Sequence, residues 1–186
     1  KFYSNDPAFV FTFAHAFLKN DLFIRDLVPR MSKKAVEEAA KQKNPKNIIG
    51  YVKSKYFALV LDDKAEAEIN VKAESTNLEL SKSSELKALV ASPEVKIDMY
   101  QKSKATIEGN AANAKIRLDN SSNLLAQKFV IGDLELDTES YAKCEVNVSK
   151  EITIEAAGKS EIELFGEQKI TIEKFTNNTT LYKKEK

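Results

Sequence analysis

The stretch Leu78–Ala88 reads LELSKSSELKA, and its rhythm returns about every 19 residues through the C-terminal two-thirds of the chain. A small polar residue recurs once in each copy of this rhythm. These residues are Ser84, Ser103, Ser122, Ser140, Ser160 and Asn178. A fixed period near 20 residues indicates one supersecondary unit that is stacked on copies of itself.

Apolar residues alternate with polar residues on both sides of each small polar residue. In the copy around Ser160, Ile152 and Ile154 precede it, and Ile162 and Leu164 follow it, at spacings of two. Such alternation predicts a strand with one buried face. Each copy therefore contains two short strands that are joined by a polar corner.

The short repeat favours a β-solenoid over a parallel sheet with helical crossovers. A βαβ unit needs about 30 residues or more, whereas a solenoid coil pairs equivalent strands in parallel about 4.8 Å apart. An earlier coil is predicted around Asp63, with Phe57 and Leu59 before it and Ala65 and Ala67 after it. We therefore predict a mainly β protein, a parallel β-helix or β-solenoid of about six to seven coils.

The first 50 residues do not share the repeat. Asp6-Pro7 is a helix-start signal, and Ser32 can cap a second helix through Lys33–Gln42. The sequence predicts a helical N-terminal segment over residues 1–50 and a solenoid domain over residues 51–186. This segment either caps the solenoid or acts as a partner-binding or oligomerisation segment.

Composition excludes several classes of protein. The 186 residues carry a net charge of +1, so nothing indicates nucleic-acid binding, and no apolar run approaches the length of a membrane span. Cys144 is the only cysteine, and it falls on an inward position of the repeat. We therefore expect its side chain to act as a small buried apolar group. The segment Ala8–Ala16 has a signal-like apolar run, but Asp6 stands where a positive region is expected, which favours a structural role.

No catalytic constellation is found in the sequence. His15 is the only histidine, which excludes a multi-histidine metal site, and no glycine-rich phosphate-binding motif occurs. We predict no enzyme activity, no cofactor and no metal.

Carboxylates recur five residues before the small polar residue. Glu135, Glu155 and Glu173 are expected to stack at strand spacing on the outer surface, with Lys150 and Lys169 available to compensate their charge. These three glutamates are the candidate binding residues. The ladder is either a solvated face or a calcium or polysaccharide contact.

The region from about Leu78 to Tyr182 resembles the putative auto-transporter adhesin head domain family, also called the head GIN domain, of bacterial envelope proteins. The segments IRLDNSSNLLA and IEAAGKSEIELFG carry the resemblance. The family shows Ser-Gly-Ala-Ser at the corner, of which only the final Ser is kept here. The resemblance implies a β-solenoid, a secreted or cell-envelope location and an adhesive role, and it brings no catalytic residues.

Three hypotheses follow for the function. The first is a non-enzymatic exported adhesin that presents its solenoid surface to an unknown partner, either glycan or protein. The second is a polysaccharide-binding or polysaccharide-cleaving β-helix protein. The third is an envelope scaffold that acts as a homo-oligomer.

Overall fold

A computed structural model describes the backbone of residues 8–13 and 47–185, and the side chains of residues 52–185. All regular secondary structure in these residues is β-strand. The strands are β1 (Ala8–Phe13), β2 (Asn47–Leu61), β3 (Glu66–Leu80), β4 (Glu85–Ala91), β5 (Glu94–Met99), β6 (Lys104–Leu118), β7 (Asn123–Thr138), β8 (Lys143–Ala156), β9 (Glu161–Phe165), β10 (Lys169–Phe175) and β11 (Thr180–Lys183).

These strands wind into a parallel β-solenoid of about seven turns, as the repeat predicted. Each coil contributes two strand segments. The first half of β3 pairs in parallel with β4, and the second half of β3 pairs in parallel with β5. We call the row of segments that includes Glu66–Lys72 and Glu85–Ala91 row A, and the row that includes Ser75–Leu80 and Glu94–Met99 row B.

Alternate residues of both rows point into one hydrophobic core. Burial along β5 and β9 follows the period of two that the sequence predicted. Leu80, Ile97 and Ile116 are fully buried, and each such side chain stabilises the fold by about 1.5–3 kcal/mol. Cys144 is also buried, as predicted, and burial raises the pKa of its thiol to about 12.

Tight turns join row B of one coil to row A of the next. In the turn after β3, Lys82 and Ser83 have φ values of 48° and 63°, and the Ser84 N–H donates to the Ser81 carbonyl. The ladder continues through the turn, because the Ser83 N–H donates to the Gln101 carbonyl of the next coil at 2.9 Å. These hydrogen bonds hold non-glycine residues in a left-handed conformation that costs about 1–2 kcal/mol per residue.

A small residue follows each turn and points into the core, and we call this set the corner column. Its members are Ala65, Ser84, Ser103, Ser122, Ala142, Ser160 and Thr179, and each has at most 9% exposure. Asp63, Ser140 and Asn178 were predicted to belong to this set, but all three lie in the turns, with φ values of 50°, 50° and 63°. Small polar residues suit the left-handed turn as well as the buried corner, so sequence spacing alone did not separate the two positions.

The shift at Asn178 changes the assignment of the last strand. Counting two and four residues onward from Asn178, as the repeat does from Ser160, places Thr180 and Tyr182 inward, but both are exposed, and Tyr182 keeps 47% of its surface. Thr179 and Leu181 point inward in their place. A one-residue slip exchanges the two faces of a strand, which is the physical reason for this error.

The described residues do not decide whether residues 1–50 form the expected helical segment. Ala8–Phe13 is a strand that pairs in parallel with Tyr56–Leu61, so this piece of the expected helical segment is extended and extends the row B ladder. The predicted helix Lys33–Gln42 lies outside the described residues. Strand β2 begins at Asn47 and runs across the predicted boundary at residue 50.

Candidate functional site

The outer face of row B carries two neighbouring columns of polar and charged side chains. The strand register aligns Glu79, Asp98, Arg117, Asp137, Glu155 and Lys174 in one column. It aligns Asn77, Lys96, Lys115, Glu135, Thr153 and Thr171 in the other. Because the coils are parallel, equivalent side chains repeat about every 4.8 Å along both columns.

A shallow groove runs along these columns, and we call it the charged groove. Its polar and charged lining residues are Lys96, Asp98, Lys115, Arg117, Glu135, Asp137, Thr153, Glu155 and Glu173. Five carboxylates and three cations line it, so its net charge is negative. The groove crosses five coils, which corresponds to about 19 Å of solenoid axis.

Ion pairs order the half of the groove that lies toward the N-terminus. Lys96 Nζ is 2.7 Å from Asp98 Oδ2, and Lys115 Nζ is 2.8 Å from Glu135 Oε2 of the next coil. Arg117 Nε lies 3.7 Å from Asp137 Oδ2, also between coils. Most of these side chains are largely exposed, so each such pair stabilises the fold by about 1 kcal/mol or less.

The other half of the groove has carboxylates without partners. Glu155 and Glu173 make no ion pair with any residue in 52–185. Glu155 lies between Asp137 and Lys174 in its column. These two carboxylates therefore keep their hydrogen-bond acceptors available to a ligand.

The titration of neighbouring groups reports the negative potential of this face. Hydrogen bonding to Glu135 and its charge raise the pKa of Lys115, with smaller contributions from Asp137 and Glu155. Partial burial raises the pKa of Tyr100, and the charges of Asp98 and Glu79 add to the shift. The pKa of Lys96 is raised in the same way, by its hydrogen bond to Asp98 and by the charge of that carboxylate.

All three predicted binding residues line the charged groove, but they do not form the single ladder that was expected. Glu135 pairs with Thr153, whereas Glu155 pairs with Asp137, so Glu135 belongs to the neighbouring column. Glu173 lies at a β-bulge, where the register shifts between Ile172 and Lys174. The errors follow from Ser140, which stands two residues before the true corner residue Ala142, and from Asn178, which stands one residue before Thr179.

Sequence reasoning missed several groove residues. Lys96, Lys115 and Asp137 were not among the candidates, although they recur at the solenoid period. Counting back five residues from Ala142 instead of Ser140 would have found Asp137. Lys150 and Lys169, the predicted charge partners, lie one column away and pair with Asp133 and Glu151.

The outer face of row A has a different character. Its columns combine charged residues with exposed apolar ones, and Leu89 and Leu125 keep 49% and 40% of their surfaces. Lys104 and Lys143 form ion pairs with Glu85 and Glu161 in adjacent coils. Row A therefore offers carboxylates at the same spacing outside the charged groove, which makes it a natural control surface.

Within residues 52–185, no three acidic, histidine or cysteine side chains are close enough together to hold a metal ion. The described part of the chain also contains no helix that is long and apolar enough to cross a membrane.

The fold and the polar outer face define a parallel β-solenoid with a charged groove. The chain belongs to the family described as "Putative auto-transporter adhesin, head GIN domain", whose model matches residues 22–167. This match confirms the family predicted from the sequence and begins upstream of the region that carried the resemblance. Comparison with curated proteins and with solved structures gave no match.

Proposed function

We propose that this chain is a non-enzymatic, adhesin-type head that binds an extended glycan along the charged groove of row B. The observation that carries the proposal is the pair of charged columns, which repeat at strand spacing, together with the unpaired carboxylates Glu155 and Glu173 at the C-terminal end of the charged groove. The family description, which names an adhesin head, supports the same role and supports display in the envelope or outside the cell.

The chemistry of the lining favours a hydroxyl-rich ligand. Carboxylates accept hydrogen bonds from sugar hydroxyls, and Lys96, Lys115 and Arg117 donate hydrogen bonds to ring or carboxyl oxygens. Hydrogen bonds to charged groups contribute about 1.5–3 kcal/mol each, more than neutral ones. A repeated polymer can use the same contact in successive coils, so that weak contacts add along the groove.

The proposal excludes turnover as the main activity. A glycosidase needs a carboxylic acid and a second carboxylate placed on either side of the scissile bond. In the groove, Asp137 and Glu155 are stacked in one column of the same sheet face, and the candidates Glu135, Glu155 and Glu173 lie in different registers. Release of reducing ends from a bound glycan would contradict the non-enzymatic proposal and favour the polysaccharide-cleaving alternative.

The test is a glycan-array screen of the purified chain, performed with and without calcium. Ligands that bind the wild type are then measured against Glu155→Gln and Glu173→Gln, which remove negative charge while keeping side-chain size. Loss of a hydrogen bond to a charged group predicts at least a tenfold weaker Kd for each variant.

A matched control comes from row A. Glu145→Gln removes the same charge from the outer face of the same solenoid, away from the charged groove and from the row A groove that Glu68 lines, and should leave the Kd within about twofold. Equal losses in the groove variants and in this control would show a non-specific charge effect and contradict the groove. Absence of binding to every glycan, in both conditions, would remove the glycan and direct attention to protein partners.

A further inference from the structure

The C-terminal end of the described solenoid exposes its core. Ile170, Ile172 and Phe175 continue the inward columns of the preceding coil but keep 38%, 49% and 39% of their surfaces. Their partners in that coil, Ile152, Ile154 and Ala156, have at most 1% exposure. Within the described residues, β10 pairs only with β8 and β11 only with β9, so one edge of each strand is open.

The backbone groups at this open edge can be assigned from the ladder. Outward-facing residues donate their N–H groups to the preceding coil, as Tyr100 does to Leu80 and Glu85 does to Ala65, both at 2.9 Å. Inward-facing residues therefore direct their N–H and C=O groups toward the following coil. In β10 these residues are Ile170 and Ile172, so apolar side chains and unpaired backbone groups coincide at the edge, which makes it a template for another strand.

We propose that this edge binds the same edge of a second copy of the chain, with the two β10 strands antiparallel across a two-fold axis at Thr171. This register places Ile170 of one copy opposite Ile172 of the other. Each of these pairs exchanges both of its backbone hydrogen bonds, because the free groups belong to those two residues. The exposed isoleucines of the two copies then cover one continuous core.

The charge pattern fits the same register. Lys169 faces Glu173 of the second copy on the outer surface, and the two-fold axis repeats this pair at the other end of the strand. Lys169 is 73% exposed and pairs with Glu151 of the preceding coil at 2.9 Å, so in the dimer its ammonium group would share or exchange this partner with Glu173 of the second copy. Residues 169–172 keep regular register with β8, and the β-bulge begins only after Ile172. A self-complementary pattern of this kind is what an isologous interface requires, which favours a second copy over another occupant.

A cysteine at the proposed axis tests the geometry directly. Thr171 of one copy would face Thr171 of the other in a non-hydrogen-bonded pair. Their Cα atoms would lie about 4.5 Å apart, which is within the range that a disulfide spans. The Thr171→Cys variant should therefore form a disulfide-linked dimer under mild oxidation. Thr153→Cys is the matched control, because it lies in the same column one coil inside the edge and should stay monomeric on a non-reducing gel. Cys144 is buried and does not compete.

Sedimentation of the 186-residue chain tests the association itself. The wild type should dimerise, and Glu173→Lys should weaken the dimer about tenfold, because it places like charges opposite each other twice. Lys174→Glu is the control, since residue 174 faces the uncharged Gln168 in this register. A monomer at every concentration, without a Thr171→Cys disulfide, would overturn the proposal. A dimer that is not weakened by Glu173→Lys and that forms no disulfide in Thr171→Cys would also overturn the proposal. It would assign the contact to another surface, such as residues 1–46. Both readouts are taken without glycan, so a failure of the dimer is distinguishable from a failure of glycan binding, whereas Glu173 takes part in both proposed contacts.

Discussion

Replacing Ser103 with alanine is expected to stabilise the fold, although the residue belongs to the repeat that defines it. The Ser103 hydroxyl is fully buried in the corner column and has no hydrogen-bond partner among the described residues, as is also true of Ser84 and Ser122. Burying an unpaired hydroxyl costs about 1–3 kcal/mol. Ala65 and Ala142 occupy equivalent positions with no exposure, so a methyl group fits the site. Allowing for the lost contacts of one oxygen atom, Ser103→Ala should raise the free energy of unfolding by about 1 kcal/mol.

Ser160 in the same column should respond with the opposite sign. Its hydroxyl donates to the Ala157 carbonyl at 3.0 Å and accepts from the Thr138 hydroxyl at 3.1 Å. Ser160→Ala removes the donor of the first bond and leaves the Thr138 hydroxyl without this acceptor, which should lower the free energy of unfolding by about 1–2 kcal/mol.

Urea unfolding followed by circular dichroism measures both variants against the wild type, and an unchanged slope shows that the unfolding reaction is the same. Equal destabilisation by Ser103→Ala and Ser160→Ala would contradict the conclusion that the Ser103 hydroxyl is buried without a hydrogen-bond partner. It would mean that the Ser103 hydroxyl donates to the carbonyl three residues earlier, as that of Ser160 does.

Three further changes test the turns and corners. Gly109 lies within β6, where the chain leaves row A, and its φ is +114°. Gly109→Ala should lower the free energy of unfolding in urea by about 3 kcal/mol or more, because the new Cβ would lie 2.0 Å from a backbone oxygen of the preceding coil. A loss below about 1 kcal/mol would contradict this close approach. Gln101→Gly should raise the melting temperature, since φ is 52° there, whereas a glycine at an extended outward position should lower it. Asp62→Asn should reduce the loss of stability on acidification. Burial opposes ionisation of Asp62, but hydrogen bonds from Ser81 and Lys82 prevail and hold its pKa below the ordinary 3.8. The stability that the carboxylate contributes is therefore complete above that value and is lost as pH falls through the lowered pKa. Identical acid-unfolding curves for Asp62→Asn and the wild type would contradict this pairing.

Much of the fold could be predicted from the sequence because its two main signals are local. Alternation at spacing two assigns the buried face, and the period near 19 residues assigns the coil, without knowledge of any distant contact. Even the misplaced Ser140 left the inward assignments of its coil correct, because it stands two residues from Ala142 and preserves the alternation. Asn178 stands one residue from Thr179, and the faces of the following strand were therefore exchanged.

The charged groove was less predictable, because it depends on register between coils. An offset of two residues at Ser140 keeps a side chain on the outer face but moves it to the neighbouring column, which is why Glu135 was placed beside Glu155. The bulge after Ile172 adds one residue that no local pattern marks. Cross-coil ion pairs such as Lys115–Glu135 appear only when both columns are aligned.

If an extended glycan lies along the charged groove, the affinity of the protein for that glycan should depend on the length of the ligand. A series of oligosaccharides cut from the best array ligand would be titrated against the wild type and against the double variant carrying Glu155→Gln and Glu173→Gln. The affinity of the wild type should rise with ligand length until the ligand spans about 19 Å, which corresponds to five coils of the solenoid. The rise should be much smaller in the double variant. An affinity that is independent of length, or a rise that is identical in the two proteins, would contradict binding along the charged groove.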